Sequence, residues 1–128
     1  LTPVGVHFGA GAGVESPDPY FGGVGPARRG CTECGECMTG CRHNAKNTLV
    51  KNYLHLAEAA GAEVHPLTTV TRLEPRDGGY RVTTRATGKG RRTTATWTAD
   101  QVVLAAGAWG TQQLLHRMKA EGALPGLS

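Results

Sequence analysis

Cys31, Cys34, Cys37 and Cys41 are the four cysteines of the sequence, and they share one loop, spelled C-T-E-C-G-E-C-M-T-G-C. Their intervals match the loop by which a bacterial ferredoxin wraps thiolates round an iron–sulfur cube, because short turns bring successive sulfurs to a common centre. Such loops usually carry proline after the last cysteine and a second cysteine set for a second cluster. Here Arg42 follows Cys41, and no second set exists. Structural zinc fits less well, since zinc knuckles normally hold two C-x-x-C pairs apart by a longer spacer. Disulfides need an oxidising compartment. The plain alternative is a set of inert thiols packed in a tight loop turned by Gly35 and Gly40. The metal-ligating candidates are therefore Cys31, Cys34, Cys37 and Cys41, as iron–sulfur ligands.

A second place capable of chemistry lies near the other end. Val102-Val103-Leu104-Ala105-Ala106 is apolar without alternation, the pattern of a strand buried on both faces of a parallel sheet. It runs into Gly107-Ala108-Trp109-Gly110-Thr111, where Thr111 can cap a helix over 111–121 bearing Leu114, Leu115 and Met118, with Gly122 ending it. A buried strand, a small-residue turn and a helix start present backbone N–H groups to a phosphate or another anion. An ordinary β-to-α turn of a Rossmann-like sheet accounts for the same residues. Gly9, Gly11 and Gly13 imitate a dinucleotide fingerprint, but the required last glycine is Val14, and Glu15-Ser16-Pro17 stands where a helix should start.

The intervening elements must hold these two places. From Thr48, Leu49, Val50, Tyr53, Leu54, Ala57 and Ala60 recur at helical spacing, predicting a helix with one buried stripe, capped by Asn47 and stopped by Gly61. Ala62 to His65 reads as a short strand. Over 67–99 an antiparallel meander is expected: Leu67–Glu74 extended, a turn at Asp77-Gly78-Gly79, alternation at Tyr80, Val82 and Thr84, a reversal at Gly88-Lys89-Gly90, and a returning run from Arg91 to Thr98 with Ala95 and Trp97 on one face. The first 30 residues hold eight Gly and four Pro without sustained periodicity, which predicts an irregular arm. The division is thus 1–47, arm and cysteine loop, and 48–128, helix, meander, buried strand 101–106 and final helix. The start at Leu1 and the end at Ser128 fit an internal segment of a longer protein.

Composition narrows the class. A chain of 128 residues with 39% hydrophobic content suits one packed domain. The formal net charge of +4 is carried by scattered residues, among them Arg28, Arg29, Arg42, Lys46, Arg91 and Arg92. With two Trp, three Tyr and two Phe there is no aromatic-interleaved basic face, so no nucleic-acid partner is expected. No run approaches the roughly 20 apolar residues of a membrane span, and a cytoplasmic location is expected.

The run C-T-E-C-G-E-C-M-T-G-C-R-H-N-A-K-N-T-L-V-K-N-Y-L, then A-E-A-A-G-A-E-V-H-P, then V-V-L-A-A-G-A-W-G-T-Q-Q-L-L resembles the middle portion of the glucose-methanol-choline flavoprotein family, in its bacterial cholesterol-oxidase-like branch. P-D-P-Y-F-G-G, from Pro17 to Gly23, resembles the loop before those cysteines. The resemblance implies part of a Rossmann-like α/β FAD-binding domain with an antiparallel meander, and oxidation of an alcohol by hydride transfer to FAD, with oxygen or another acceptor reoxidising the flavin. By it, Val70 corresponds to a valine whose backbone contacts the adenine, and Ala106, Gly107 and Ala108 to the turn against the FAD. The family's pyrophosphate-binding glycine motif and catalytic histidine have no counterpart here, so no residue of this chain is expected to be catalytic. His7, His43, His55, His65 and His116 are read as loop or helix-surface residues, and the segment alone is expected to be inactive.

The function expected is therefore that of a segment of an FAD-dependent oxidoreductase acting on a sterol or other hydrophobic alcohol. One alternative is an iron–sulfur electron-transfer module built on the four cysteines. The other is a non-catalytic scaffold piece, since fold does not fix function.

Overall fold

The computed structural model describes residues 5–88, 90 and 93–127, which fall into two compact units parted between Val64 and His65. Parts of the expected Gly88–Gly90 reversal and of the run from Arg91, namely Lys89, Arg91 and Arg92, lie outside the described residues.

The first unit is mostly irregular backbone pinned by side chains. A two-residue antiparallel ladder joins β1 (Glu15–Ser16) to β2 (Arg28–Arg29), closed on its surface by an Arg29–Glu15 ion pair at 3.1 Å. Gly30, just past β2, is glycine because a Cβ there would stand 1.9 Å from the carbonyl oxygen of Gly11. The loop between β1 and β2 is organised by Asp18, whose buried carboxylate accepts N–H groups from Tyr20 (3.0 Å), Phe21 (2.7 Å) and Gly25 (3.1 Å). Burial pushes this carboxyl up, but the backbone donors outweigh it and hold it below the usual range.

Arg28 is fully buried. Its guanidinium donates to Asn47 Oδ1 at 3.1 Å and to the Lys51 carbonyl, and lies 5.3 Å from the centre of the Tyr20 ring. A short 3-10 turn (Leu49–Lys51) then leads into α1 (Tyr53–Ala59). The single helix expected from Thr48 is thus broken at Asn52, which leaves helical geometry and caps α1 with its own side chain in the role expected of Asn47. The stripe expected to be buried is not: Leu49, Val50 and Tyr53 are exposed, because the sheet described in the first unit is only the two-residue ladder of β1 and β2, too small to receive it. Ala62–His65 is not part of a strand.

The second unit holds the antiparallel meander. Strands β3 (Thr68–Arg76), β4 (Gly79–Ala86) and β5 (Thr94–Ala99) lie in the order β3-β4-β5, with a tight turn through Asp77 and Gly78. The register slips between Val70 and Arg72, leaving Thr71 as the extra residue of a bulge. That bulge presents the Thr71 carbonyl outward, and Arg117 donates to it at 2.8 Å. Arg117 belongs to α2 (Gly107–Ala120), which seats on β3 through Leu114 and Met118 against Leu73. Met118 is 0% exposed, and its sulfur accepts the Leu73 N–H at 3.4 Å. An Arg72–Glu121 pair at 2.6 Å closes the far end of this contact.

Two expectations change here. The helix starts at Gly107, not Thr111, with Ala106 at its N-cap. Val102–Ala106 is not a buried strand: it pairs with no described strand, and Val103 is 89% exposed. A central parallel strand needs neighbours on both edges. The described strands pair antiparallel throughout, with one isolated parallel bridge between Ala12 and Gly30, so the described residues form a mixed helix-and-sheet fragment in which no parallel sheet is seen.

Two tests follow from this packing. Met118→Ala should lower unfolding stability by about 2–5 kcal/mol while Met118→Leu costs less than about 1.5 kcal/mol, read by urea unfolding of the protein. The depressed Asp18 carboxyl stabilises its loop above the ordinary carboxyl pKa, and that stabilisation is lost as pH falls through the folded value. Hydrogen exchange of the Tyr20, Phe21 and Gly25 amides, corrected for intrinsic rates, should therefore accelerate on acidification, and should already be fast in Asp18→Ala at neutral pH.

Candidate functional site

Two cavities carry the residues singled out by sequence, one in each unit. In the second unit, the edge of β3 and the first turns of α2 enclose a groove of about 430 Å³, lined by Val70, Ala106, Gly110, Gln113, Leu114 and Arg117 together with Thr68 and Thr69. Val70 and Ala106 stand 36 positions apart in sequence and are brought to one wall by the seating of α2 on β3. Gly107 and Ala108 are the first helical residues, beside the groove rather than in its lining.

Gly107 has φ of 72°, the left-handed region that L side chains avoid, and this bend leads the 101–106 segment into α2. A Cβ there would meet nothing within 4 Å, so glycine answers the backbone's need and not a crowded wall. Ala106 contributes no side-chain cap, and the first turn holds no acidic residue. The N–H groups of that turn are therefore unclaimed by a capping side chain and favour an anion or a polar oxygen. Arg117 adds a cation held in place through the Thr71 carbonyl. A groove of this size, with small residues, apolar Val70 and Leu114, and a few fixed donors, has the make-up of a site for part of a nucleotide cofactor.

The cavity of the first unit, about 240 Å³, is lined by all four cysteines, with Glu36, His43 and Ala45 among its other walls. None of the four is joined in a disulfide in this structure. The loop is tied down by its backbone: Cys31 N–H donates to the His7 carbonyl at 2.7 Å, Thr39 and Gly40 N–H groups to the Glu36 carbonyl at 3.1 Å each, and Lys46 Nζ to the Cys37 carbonyl at 2.7 Å. Cys31 Sγ accepts the Glu33 N–H, and Cys41 Sγ those of Ala45 and Lys46, all at 3.4 Å. The Lys46 N–H, opposed by burial and helped by the Ala45 and His43 N–H groups and the Lys51 charge, holds the Cys41 thiol below its usual pKa.

Ligand atoms converge differently from the sequence expectation. The group closed to 4.8 Å among the described residues is Cys34 Sγ, a Glu36 carboxylate oxygen and a His43 ring nitrogen. Neither Glu36 nor His43 is among the candidates that the sequence singles out, where His43 reads as a loop residue. The available signal was their position, one inside the cysteine run and the other two residues past Cys41.

Sequence comparison places these features in a family. The family model described as GMC oxidoreductase matches residues 24–119, spanning the cysteine loop, the meander and nearly all of α2. A cholesterol oxidase of Mycobacterium tuberculosis is 63% identical over 133 residues, covering 99% of this chain and 23% of that protein. A cholesterol oxidase of Acinetobacter baumannii is 48% identical over 130 residues, covering 94% of this chain and 23% of its own. An uncharacterized GMC-type oxidoreductase of M. tuberculosis is 42% identical over 92 residues, 69% of this chain and 14% of that one. No solved structure matches. The chain thus spans about a quarter of the length of these two cholesterol oxidases, at 23% of each. With the matched region running from the cysteine loop to α2, the chain belongs to the GMC oxidoreductase family.

Proposed function

We propose that the protein is an FAD-dependent oxidoreductase that oxidises the CH–OH group of a hydrophobic alcohol, a sterol being the preferred class, and that this chain supplies part of its FAD-binding domain. The observation that carries the reading is the meeting of Val70 and Ala106 in one groove at the start of α2. These two positions, far apart in sequence, are the ones that the family resemblance assigns to the cofactor. The names of the 63% and 48% identical relatives support the sterol class.

FAD, when bound, accepts the hydride from the alcohol carbon while the hydroxyl proton leaves, so that the alcohol becomes a carbonyl compound; oxygen or another acceptor then takes the electrons. The residues of this chain bind and orient. Val70 and Leu114 supply an apolar wall, and Ala106, Gly107 and Ala108 keep the turn small enough for close approach. The uncapped first turn of α2 offers N–H donors, and Arg117 a fixed positive charge. These groups bind and orient, and the catalytic base is expected elsewhere in the protein.

The iron–sulfur module remains a second reading for the cysteine loop, supported by the single cavity that all four cysteines share. Against it as the main function stands the match of the family model over 24–119, of which the cysteine loop is a small part. The scaffold reading has no observation of its own in its favour.

The protein should purify yellow with about one FAD per chain. Ala106→Leu places a branched side chain in the groove and should weaken FAD binding at least about tenfold, about 1.4 kcal/mol, by fluorescence titration of the deflavinated protein. Undiminished affinity in that variant would remove the groove from the cofactor site. A colourless wild-type protein that takes up no added FAD would remove the flavin reading itself.

A further inference from the structure

We propose that the loop from Cys34 to His43 binds a single divalent cation of the zinc class through Cys34, Glu36 and His43, with a fourth position facing the cysteine-lined cavity. A thiolate, a carboxylate and an imidazole form a ligand set suited to zinc, which takes sulfur at about 2.3 Å and nitrogen or oxygen at about 2.0–2.2 Å. Around a tetrahedral ion, bonds of that length hold ligand atoms roughly 3.3–3.8 Å apart. The three atoms already lie within 4.8 Å of one another, a gap that small side-chain rotations close.

The backbone explains why they meet. Gly35, with φ of 73°, sits between Cys34 and Glu36 and folds the chain there. The Thr39 and Gly40 N–H groups donate to the Glu36 carbonyl and reverse the loop, so that His43 returns beside Cys34. Charge balances as well: one thiolate, one carboxylate and a neutral imidazole cancel a divalent ion. The fourth side opens on the cavity of about 240 Å³, with room for water or a further donor.

Cysteine spacing disfavours zinc only where all the ligands are thiolates in a pair of knuckles. A mixed ligand set escapes it, because neither Glu36 nor His43 belongs to the cysteine pattern. An iron–sulfur cube, by contrast, would draw on the four sulfurs and give Glu36 and His43 no part. A zinc-class ion has no redox chemistry, so it would fasten the loop without carrying electrons. This inference is independent of the flavin reading.

The test uses the full-length protein, stripped with a chelator and titrated with zinc or cobalt(II) alone. One equivalent should bind, with cobalt giving the intense visible bands of tetrahedral coordination and a sulfur charge-transfer band. Cys34→Ser, Glu36→Gln and His43→Ala should each weaken binding more than about 100-fold, while Cys41→Ser stays within about threefold of the parent. In the unmutated protein, zinc should protect Cys34 from alkylation, read by mass spectrometry, which tests the site even if a variant fails to fold. Iron and acid-labile sulfide that are lost in Cys41→Ser but kept in Glu36→Gln and His43→Ala would overturn the proposal in favour of a cluster. Zinc binding that survives all three ligand substitutions, or none tighter than micromolar in the parent, would overturn it outright.

Discussion

The candidate cofactor groove exists because Met118 is buried against β3. The fully covered thioether, with Leu114 and Leu73, anchors α2, while Arg117 on the Thr71 carbonyl and Arg72 on Glu121 fix its rotation and its far end. The bulge at Thr71 is part of the same device, since a regular ladder would leave that carbonyl paired across the sheet. With α2 set in this way, its first turn falls beside Val70, and Ala106 and Val70 share a wall. Without that seating, the small-residue turn would be an isolated helix start with no site attached.

In the first unit a buried charge takes the corresponding part. Arg28 ties β2 to Asn47, before the 3-10 turn, and to Lys51, its last residue, and so holds the segment after the cysteine loop against the strand before it. A guanidinium removed from water is costly unless partnered, and here two acceptors and the Tyr20 ring compensate only in part, because Nε and Nη1 find no partner among the described residues. The loop between these anchors is then shaped by N–H groups given to sulfur and carbonyl oxygen, not by apolar packing. A cavity walled by thiols, a carboxylate and an imidazole is the result, and these are groups that a metal ion can satisfy.

Local signals were legible where local chemistry decides. The Asp77-Gly78 turn and the alternation at Tyr80, Val82 and Thr84 announced an antiparallel ribbon, and the structure forms it. Gly107 and the residues round it marked a strand-to-helix style turn, although the helix begins at Gly107 itself, since no polar cap was needed to start it. Signals that depend on partners misled. Val102–Ala106 has the composition of a core strand and Leu49, Val50 and Tyr53 that of a buried stripe, yet composition states only what could be buried, and the described residues of their own units leave most of these side chains exposed. At the cysteine loop the regular spacing makes the thiols prominent and hides Glu36 and His43, because ligand convergence arises from the turn at Gly35 and the reversal at Glu36, which spacing alone does not specify.

The central claim, that this groove serves a flavin which accepts hydride from a hydrophobic alcohol, is tested most directly by mixing the oxidised full-length protein with a sterol in the absence of oxygen and following flavin absorbance. The account predicts bleaching of the flavin by one equivalent of sterol, formation of one equivalent of ketone, and return of the yellow colour when oxygen or another acceptor is admitted. A flavin that stays oxidised in the presence of sterols and of shorter alcohols alike would contradict it.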